Sequence, residues 1–214
     1  MELSLRKYLK KNGMNVTEGS LHNQKVQQDL LRKLIKDKKK GMQIGFNAGD
    51  SADLFLDETN GTLTSFDINR HNYVKFGEKY INLKYPKKHK LIIGDSTVVL
   101  PKRKKTKYDF IYIDGGHTYD VASQDIKNCK RFSDKNTLVI IDDYVSKKDW
   151  IKGYNKSVIK AVKDNKDFVR KGQKDFGPGR GIIWGYYNFN KKSIKNSNKR
   201  KKSKKRKSKS FSLF

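Results

Sequence analysis

Two acidic strand ends stand 28 residues apart in this chain. The apolar run from Tyr108 to Ile113 stops at Asp114, with Gly115, Gly116 and His117 behind it, and the run from Leu138 to Ile141 stops at Asp142 and Asp143. Short β-branched runs ending on carboxylate, with room for a helix between them, are how a parallel sheet delivers charge to one edge. Neighbouring strands about 4.8 Å apart would let three carboxylates and a histidine share one site. Such a group can hold a divalent metal and carry out acid/base chemistry, the histidine titrating near neutrality. Each member also has a purely structural reading. His117 can close a turn ahead of a helix, and Asp143 can cap the segment that follows. Asp114 resists that reading, because a carboxylate ending an apolar strand is costly unless something pairs with it.

Upstream, Gly45 and Gly49 bracket a loop at a predicted helix start, where backbone N–H groups and the helix dipole favour an anionic or polar ligand. Two glycines alone fit a tight turn without a ligand equally well. Asp67 ends the next strand, 18 residues beyond Gly49, where an acid can accept from both hydroxyls of a ribose. Gly94, Asp95 and Ser96 end the strand after that. A glycine loop followed by acids at successive strand ends suits an adenosine-containing cofactor. Asn47 stands where the dinucleotide fingerprint needs its middle glycine, which turns the reading from nicotinamide cofactors toward one without phosphates.

These positions need a scaffold, and the apolar pattern supplies one. Val26, Leu30, Leu31, Leu34 and Ile35 recur at helical spacing over 23–38, ahead of a strand at 42–46. Helices over 51–58, 72–84, 119–132 and 148–163 then alternate with strands at 63–68, 90–95, 108–114 and 137–142. Strands at 168–170 and 182–187, joined by a glycine-rich turn at 177–181, read as an antiparallel hairpin. The expected fold class is α/β and Rossmann-like, a mostly parallel sheet with helices on both faces and ligands outside the carboxyl ends of its strands. Residues 1–20 read as a polar lead-in, 21–190 as the domain and 191–214 as a disordered basic tail.

The 214 residues carry a net charge of +28, and their apolar share of 35% is low for a globular protein but gathered into runs. Twelve Lys/Arg and no acid lie in 191–210, which leaves +16 on residues 1–190, so an acidic partner suits body and tail alike. Cys129 is the only cysteine, which excludes an intrachain disulfide and agrees with a reducing, intracellular setting. No apolar stretch approaches the ~20 residues of a membrane helix, and a soluble protein is expected.

In chain order, Ile44–Ala52, Ser65–Ile68, Gly94–Ser96, Ile111–Tyr119 and Ile140–Asp143 resemble class I S-adenosylmethionine-dependent methyltransferases. Within that class the likeness is to small O-methyltransferases that include metal-dependent enzymes methylating sugar hydroxyls. The resemblance spans residues 20–187 and implies a seven-stranded sheet with its last strand reversed. It implies that Gly45, Phe46, Asn47 and Gly49 face the methionine part of S-adenosylmethionine. Asp67 would hold the ribose, Asp95 and Ser96 would lie near the adenine, and Asp114 would border the cofactor as well. It further implies Mg²⁺ on Asp114, Asp142 and Asp143, His117 as the base, and a hydroxyl of a sugar or other small molecule as the acceptor. Gln43 departs from the family pattern, since many members place an acid there for the methionine amine.

Two other functions fit the residues. A nucleic-acid methyltransferase accords with the cationic body and tail, yet the chain has neither an Asp/Asn-Pro-Pro-aromatic run nor a lysine-centred ribose-methylating tetrad. A binding protein that keeps the fold without turnover is the other, and Asp67, Asp114 and His117 argue against it. The tail, above all 198–207, reads as a nuclear-localisation-like signal, a polyanion contact or a solubilising extension. His22, His71 and His89 read as surface residues, and Arg180, which could reach an anionic substrate from its glycine loop, reads rather as part of a solvated turn. Tyr119, Tyr144 and Trp150 read as pocket wall or core.

Overall fold

Seven strands form one sheet in the computed structural model, which describes residues 3–17, 21–145, 154–177 and 179–190. They are β1 (Lys40–Ile44), β2 (Thr62–Asp67), β3 (His89–Ile93), β4 (Phe110–Ile113), β5 (Leu138–Ile141), β6 (Phe168–Gly177) and β7 (Arg180–Tyr187). The order across the sheet is β3-β2-β1-β4-β5-β7-β6. β1 to β5 pair in parallel, whereas β7 runs antiparallel to both β5 and β6. The expected α/β sheet with a reversed last strand is therefore present. The strand order reverses direction between β1 and β4, the place where open sheets of this kind leave a crevice for a ligand.

Strand periodicity divides the core into two. In β4 and β5, Phe110, Tyr112, Leu138 and Ile140 face one layer, while Ile111, Ile113, Val139 and Ile141 face the other. The first layer packs against α1 (Leu5–Lys11), α2 (Lys25–Ile35), α3 (Asp50–Thr59) and α4 (Tyr73–Lys84). The second packs against α5 (Ser96–Lys102), α6 (Tyr119–Cys129) and α7 (Tyr154–Asp164). Because β4 and β5 are buried along their whole length, they read as unbroken apolar runs rather than alternating ones.

Two helices were not legible in the sequence. The polar lead-in contains α1, whose Leu5 and Leu9 are 4% and 1% exposed and whose Tyr8 ring lies 5.5 Å from that of Tyr80. Two leucines four apart are one helical turn, too short a period to separate from chance. α5 contains Pro101, but its Asp95 N-cap accepts from the Thr97 N–H at 2.8 Å and starts the helix. The expected helix over 148–163 is described from Tyr154 onward, and its first part, with Trp150, lies outside the described residues, as does the basic tail. No helix among the described residues is long and apolar enough to cross a membrane.

If α1 belongs to the core, Leu9→Ala should cost about 2–5 kcal/mol in urea unfolding of the full chain. A loss under about 0.5 kcal/mol, the range of surface substitutions, would mean that α1 is only laid against the domain.

Candidate active site

The acids reach one edge because four strands stop in the same row. Ile44 pairs with Phe66 and with Ile113, and Ile113 pairs with Ile141. The next residues, Asp67, Gly45, Asp114 and Asp142, therefore stand side by side on β2, β1, β4 and β5. Backbone bonds continue the ladder into this row, from Gly45 N to Phe66 O (2.8 Å), Asp114 N to Ile44 O (2.9 Å) and Asp142 N to Ile113 O (2.9 Å).

Gly45 is obligatory at the centre of the row. Its φ is +87°, and a Cβ there would lie 1.9 Å from the Asp114 carbonyl oxygen. Asn47 (φ +53°) and Gly49 (φ +98°) complete the left-handed turn into α3. Asp67 holds this loop from the side. Its Oδ2 accepts from the N–H groups of Phe46 (2.9 Å) and Asn47 (2.8 Å), and its Oδ1 accepts from Asn69 N–H at 2.6 Å. The Phe46 side chain turns away from the edge into the core, 1% exposed, with its ring 5.1 Å from that of His89. Only the Phe46 backbone borders the loop. Gln43, fully buried beneath it, accepts from Ser51 Oγ at 3.2 Å, while its Nε2 has no partner among the described residues.

On the other side of the crevice, Asp114, His117 and Asp143 each offer a ligand atom, all within 4.8 Å of one another. His117 Nε2 pairs with Asp143 Oδ2. α6 begins at Tyr119 with Thr118 as its N-cap, so His117 is not the helix-starting residue. Asp143 has φ +55°, an unusual conformation for a non-glycine residue and one that clusters at functional sites. The capping alternative for Asp143 concerns a segment outside the described residues.

Asp142 stands beside this trio rather than in it. Its carboxylate accepts from Gln27 Nε2 at 3.0 and 3.2 Å, from the Tyr112 hydroxyl, and from the Asp143 N–H at 2.9 Å. Gln27, 1% exposed on α2, and Tyr112, 1% exposed on β4, are site residues that the sequence did not reveal. Both sit on the core side of amphipathic elements, where polar tips do not stand out. Arg180, which the sequence favours as part of a solvated turn, joins them, because its charge counters the elevation of both Asp114 and Asp142. It is half-buried at the start of β7, not in a solvated turn. Gly181 next to it locks the acidic loop in place, accepting from Tyr144 N at 3.0 Å.

Crowding sets the electrostatics. Burial, then the charges of Asp142 and Asp143, push the Asp114 carboxyl well above its ordinary range. Burial and Asp143 push Asp142 up to about 6. Burial, and after it the nearby acids, push the Tyr112 hydroxyl up as well. A small cleft lies against the group, lined by Asp114, Gly115, His117, Asp142 and Val158. A larger depression of about 170 Å³ lies between α1, α2 and α3, but ion pairs span it: Arg6 to Asp50, Lys84 to Asp53 and Arg32 to Asp57. It fastens helices rather than offering unmatched groups.

At the adenine end of the expected pocket, Asp95 is exposed and accepts from Thr97 N–H (2.8 Å) and Thr97 Oγ1 (2.7 Å). Ser96 lies against Asp125, a fully buried α6 carboxyl that burial pushes up to about 7. Several aromatic and histidine expectations resolve differently. His89 is not a surface residue: it meets Ser65 Oγ at 2.8 Å, and burial lowers its pKa to about 4. His71 stacks on Tyr73 with ring centroids 4.8 Å apart, while His22 is exposed. Tyr119 joins α6 to α7 through Asp164 at 2.9 Å, and Tyr144 is buried in the second core layer, so neither walls the cleft.

Residues 42–144 match the sequence profile of a methyltransferase domain. No curated protein sequence matches the chain. Among solved structures, a candidate O-methyltransferase from Klebsiella pneumoniae superposes with a TM-score of 0.63 at 17% identity, covering 86% of this chain and 89% of that one. The O-methyltransferase TomG from Streptomyces achromogenes, which acts in tomaymycin synthesis and was solved with S-adenosylmethionine, gives 0.63 at 14% identity and 86% and 87% coverage. A candidate rRNA methylase from Clostridium thermocellum gives 0.59 at 15%, covering 79% and 98%. Over residues 42–144 the chain is thus similar to methyltransferase domains, on a seven-stranded sheet whose fold those solved structures share.

The crowded carboxylates make a sign-definite prediction. A group whose pKa is raised on folding destabilises the native state above its unfolded pKa, and the penalty fades as pH falls. Asp114→Asn should therefore raise stability at pH 7.5 in EDTA by about 1 kcal/mol in urea unfolding, with the gain shrinking toward pH 4. A pH-independent loss of stability would contradict this account of the cluster.

Proposed function

We propose that the protein transfers the methyl group of S-adenosylmethionine to a hydroxyl of a small molecule or sugar. The observation that carries this reading is the row of Asp67, Gly45, Asp114 and Asp142 at the strand-order reversal, with His117 and Asp143 beside it. Gly45, Asn47 and Gly49 would shape the loop around the methionine end, with Phe46 contributing only backbone. Asp67 would take the ribose. Three of its roughly four lone-pair sites already accept backbone N–H groups, so one site remains for a hydroxyl unless the loop moves. Asp95, Ser96 and the backbone at Asp114 would border the adenine.

Oxygen donors that crowd and repel one another suit a hard divalent cation such as Mg²⁺. Asp114 and Asp143 would hold it, with Asp142 adjacent, and the bound ion would supply Lewis-acid activation of the acceptor hydroxyl. His117, paired with Asp143, would receive the hydroxyl proton at Nε2 once the pair opens. Gln27 and Tyr112 hold the Asp142 carboxylate in a single orientation. Arg180 moderates the negative charge of the cluster.

Methyl transfer to nucleic acid is the second reading, favoured by the +16 body and the Clostridium thermocellum neighbour. A radiolabelled-methyl screen across sugars, phenols and RNA separates the two. Titration calorimetry should show S-adenosylhomocysteine binding, weakened tenfold or more by Asp67→Ala; a well-folded chain that binds none would refute the methyltransferase reading. His117→Gln should lower kcat by about 10²–10⁴ while leaving cofactor binding unchanged. EDTA and Asp143→Asn should each suppress turnover. Full activity after both would leave the cofactor half standing and remove the metal.

A further inference from the structure

The charge of the body is sorted by sheet edge. The acids Asp67, Asp95, Asp114, Asp142 and Asp143 gather at the carboxyl edge of the parallel strands, as described above. The opposite, amino edge is built from the connections that lead into β1, β3, β4, β5 and β6, namely 36–39, 85–88, 103–109, 133–137 and 165–167. These five connections hold eleven Lys/Arg against four acids. Three of the four acids are occupied in holding the edge together. Asp109 accepts from the N–H groups of Lys39 and Lys40, both at 2.9 Å, Asp134 accepts from Asn136 N–H at 2.8 Å, and Asp167 pairs with Lys130 at 2.7 Å. Arg103, Lys104 and Lys105 are consecutive and exposed, and none pairs with an acid among the described residues.

The reversed strand brings a further element to this edge. β7 is antiparallel, with Ile183 beside Ile141 and Gly185 beside Val139, so its C-terminal end lies at the amino edge of the parallel strands. Phe189 follows it there. It is 44% exposed. Lys107 Nζ lies 5.9 Å and Lys130 Nζ 5.4 Å from its ring centre. The chain then continues from Asn190 into twelve more Lys/Arg with no acid. Body cations and an aromatic ring thus converge on the face where the described chain ends.

We propose that this amino edge is a binding site for single-stranded nucleic acid, separate from the catalytic edge. Cations that track a phosphate backbone together with an exposed ring for base stacking are the elements of sequence-tolerant single-strand binding. A lipid surface would instead call for a broad apolar band beneath the charges. The five residues of β1 put about 17 Å between the two edges. A strand bound along the amino edge is therefore held away from the methyl-transfer site, and the site serves as an anchor rather than an acceptor pocket. This inference does not depend on which hydroxyl is methylated.

The test is fluorescence anisotropy of the full chain with a labelled 20-nucleotide oligouridylate, at 50 and 200 mM salt. Binding should weaken by about tenfold or more across that range. The triple variant Arg103→Glu, Lys104→Glu, Lys105→Glu should weaken it at least tenfold at 50 mM salt, with S-adenosylhomocysteine binding unchanged as the control for folding. Phe189→Ala should weaken it about fivefold or more, and should leave binding of inorganic polyphosphate, which has no bases, unchanged. Unchanged oligouridylate affinity in the triple variant would assign the binding to the tail and overturn the proposal. So would equal losses for oligouridylate and polyphosphate in Phe189→Ala, or binding to phosphatidylserine vesicles without binding to the oligonucleotide.

Discussion

The site depends on one close approach, that of the Gly45 backbone to the carbonyl of Asp114. No side chain fits between them, since a Cβ on Gly45 would sit 1.9 Å from that oxygen. With the glycine in place, β1 and β4 end in the same row at the point where the strand order reverses. The loop can then turn left-handed into α3 on one side while the acidic ends of β4 and β5 stand on the other. Asp67 fastens the loop by accepting the backbone N–H groups of Phe46 and Asn47. The glycine loop and the acidic side are thus set by the same backbone contact, and neither can shift without the other.

From that contact follows an electrostatic strain that the fold tolerates. Burial, and after it the charge of neighbouring acids, raises the carboxyls of Asp114 and Asp142. Gln27, Tyr112 and Arg180 soften the crowding from three different elements, α2, β4 and β7. Softening is not neutralisation, and the arrangement remains one that a cation would relieve. A cluster built for stability alone would have no use for so many acids in one place, and stability is often sacrificed in this manner at active sites.

Legibility in the sequence followed the length of the signal. Strands β1 to β5 and helices α2, α4 and α6 were readable because apolar residues recur over enough positions to fix a period. The acids were readable because a charge ending an apolar run is conspicuous. α1 and α5 were too short, at seven residues each, to show a period against their polar surroundings. The supporting residues were hidden for a different reason. Gln27 looks like one more polar residue on an amphipathic helix, and Tyr112 like one more aromatic in a buried strand. Asp125, buried on α6, sits in sequence beside Ser123, Gln124 and Lys127, which are exposed or half-buried.

The amino-acid sequence by itself determined the class of fold, the row of acids and glycines that meet at one edge, and the excess of positive charge. Those follow from local periodicity and from the types of residue that end each run, which need no knowledge of distant contacts. Only the tertiary structure decided which groups act together. It grouped Asp143 with Asp114 and His117, turned Phe46 into the core and drew Gln27 across from α2 over 115 positions of chain. It also sorted acids and bases to opposite edges, because the reversal of β7 carries the chain back to the amino edge before the basic tail begins. Partners that far apart in sequence are chosen by the packing of helices on the sheet, and no local pattern records that choice.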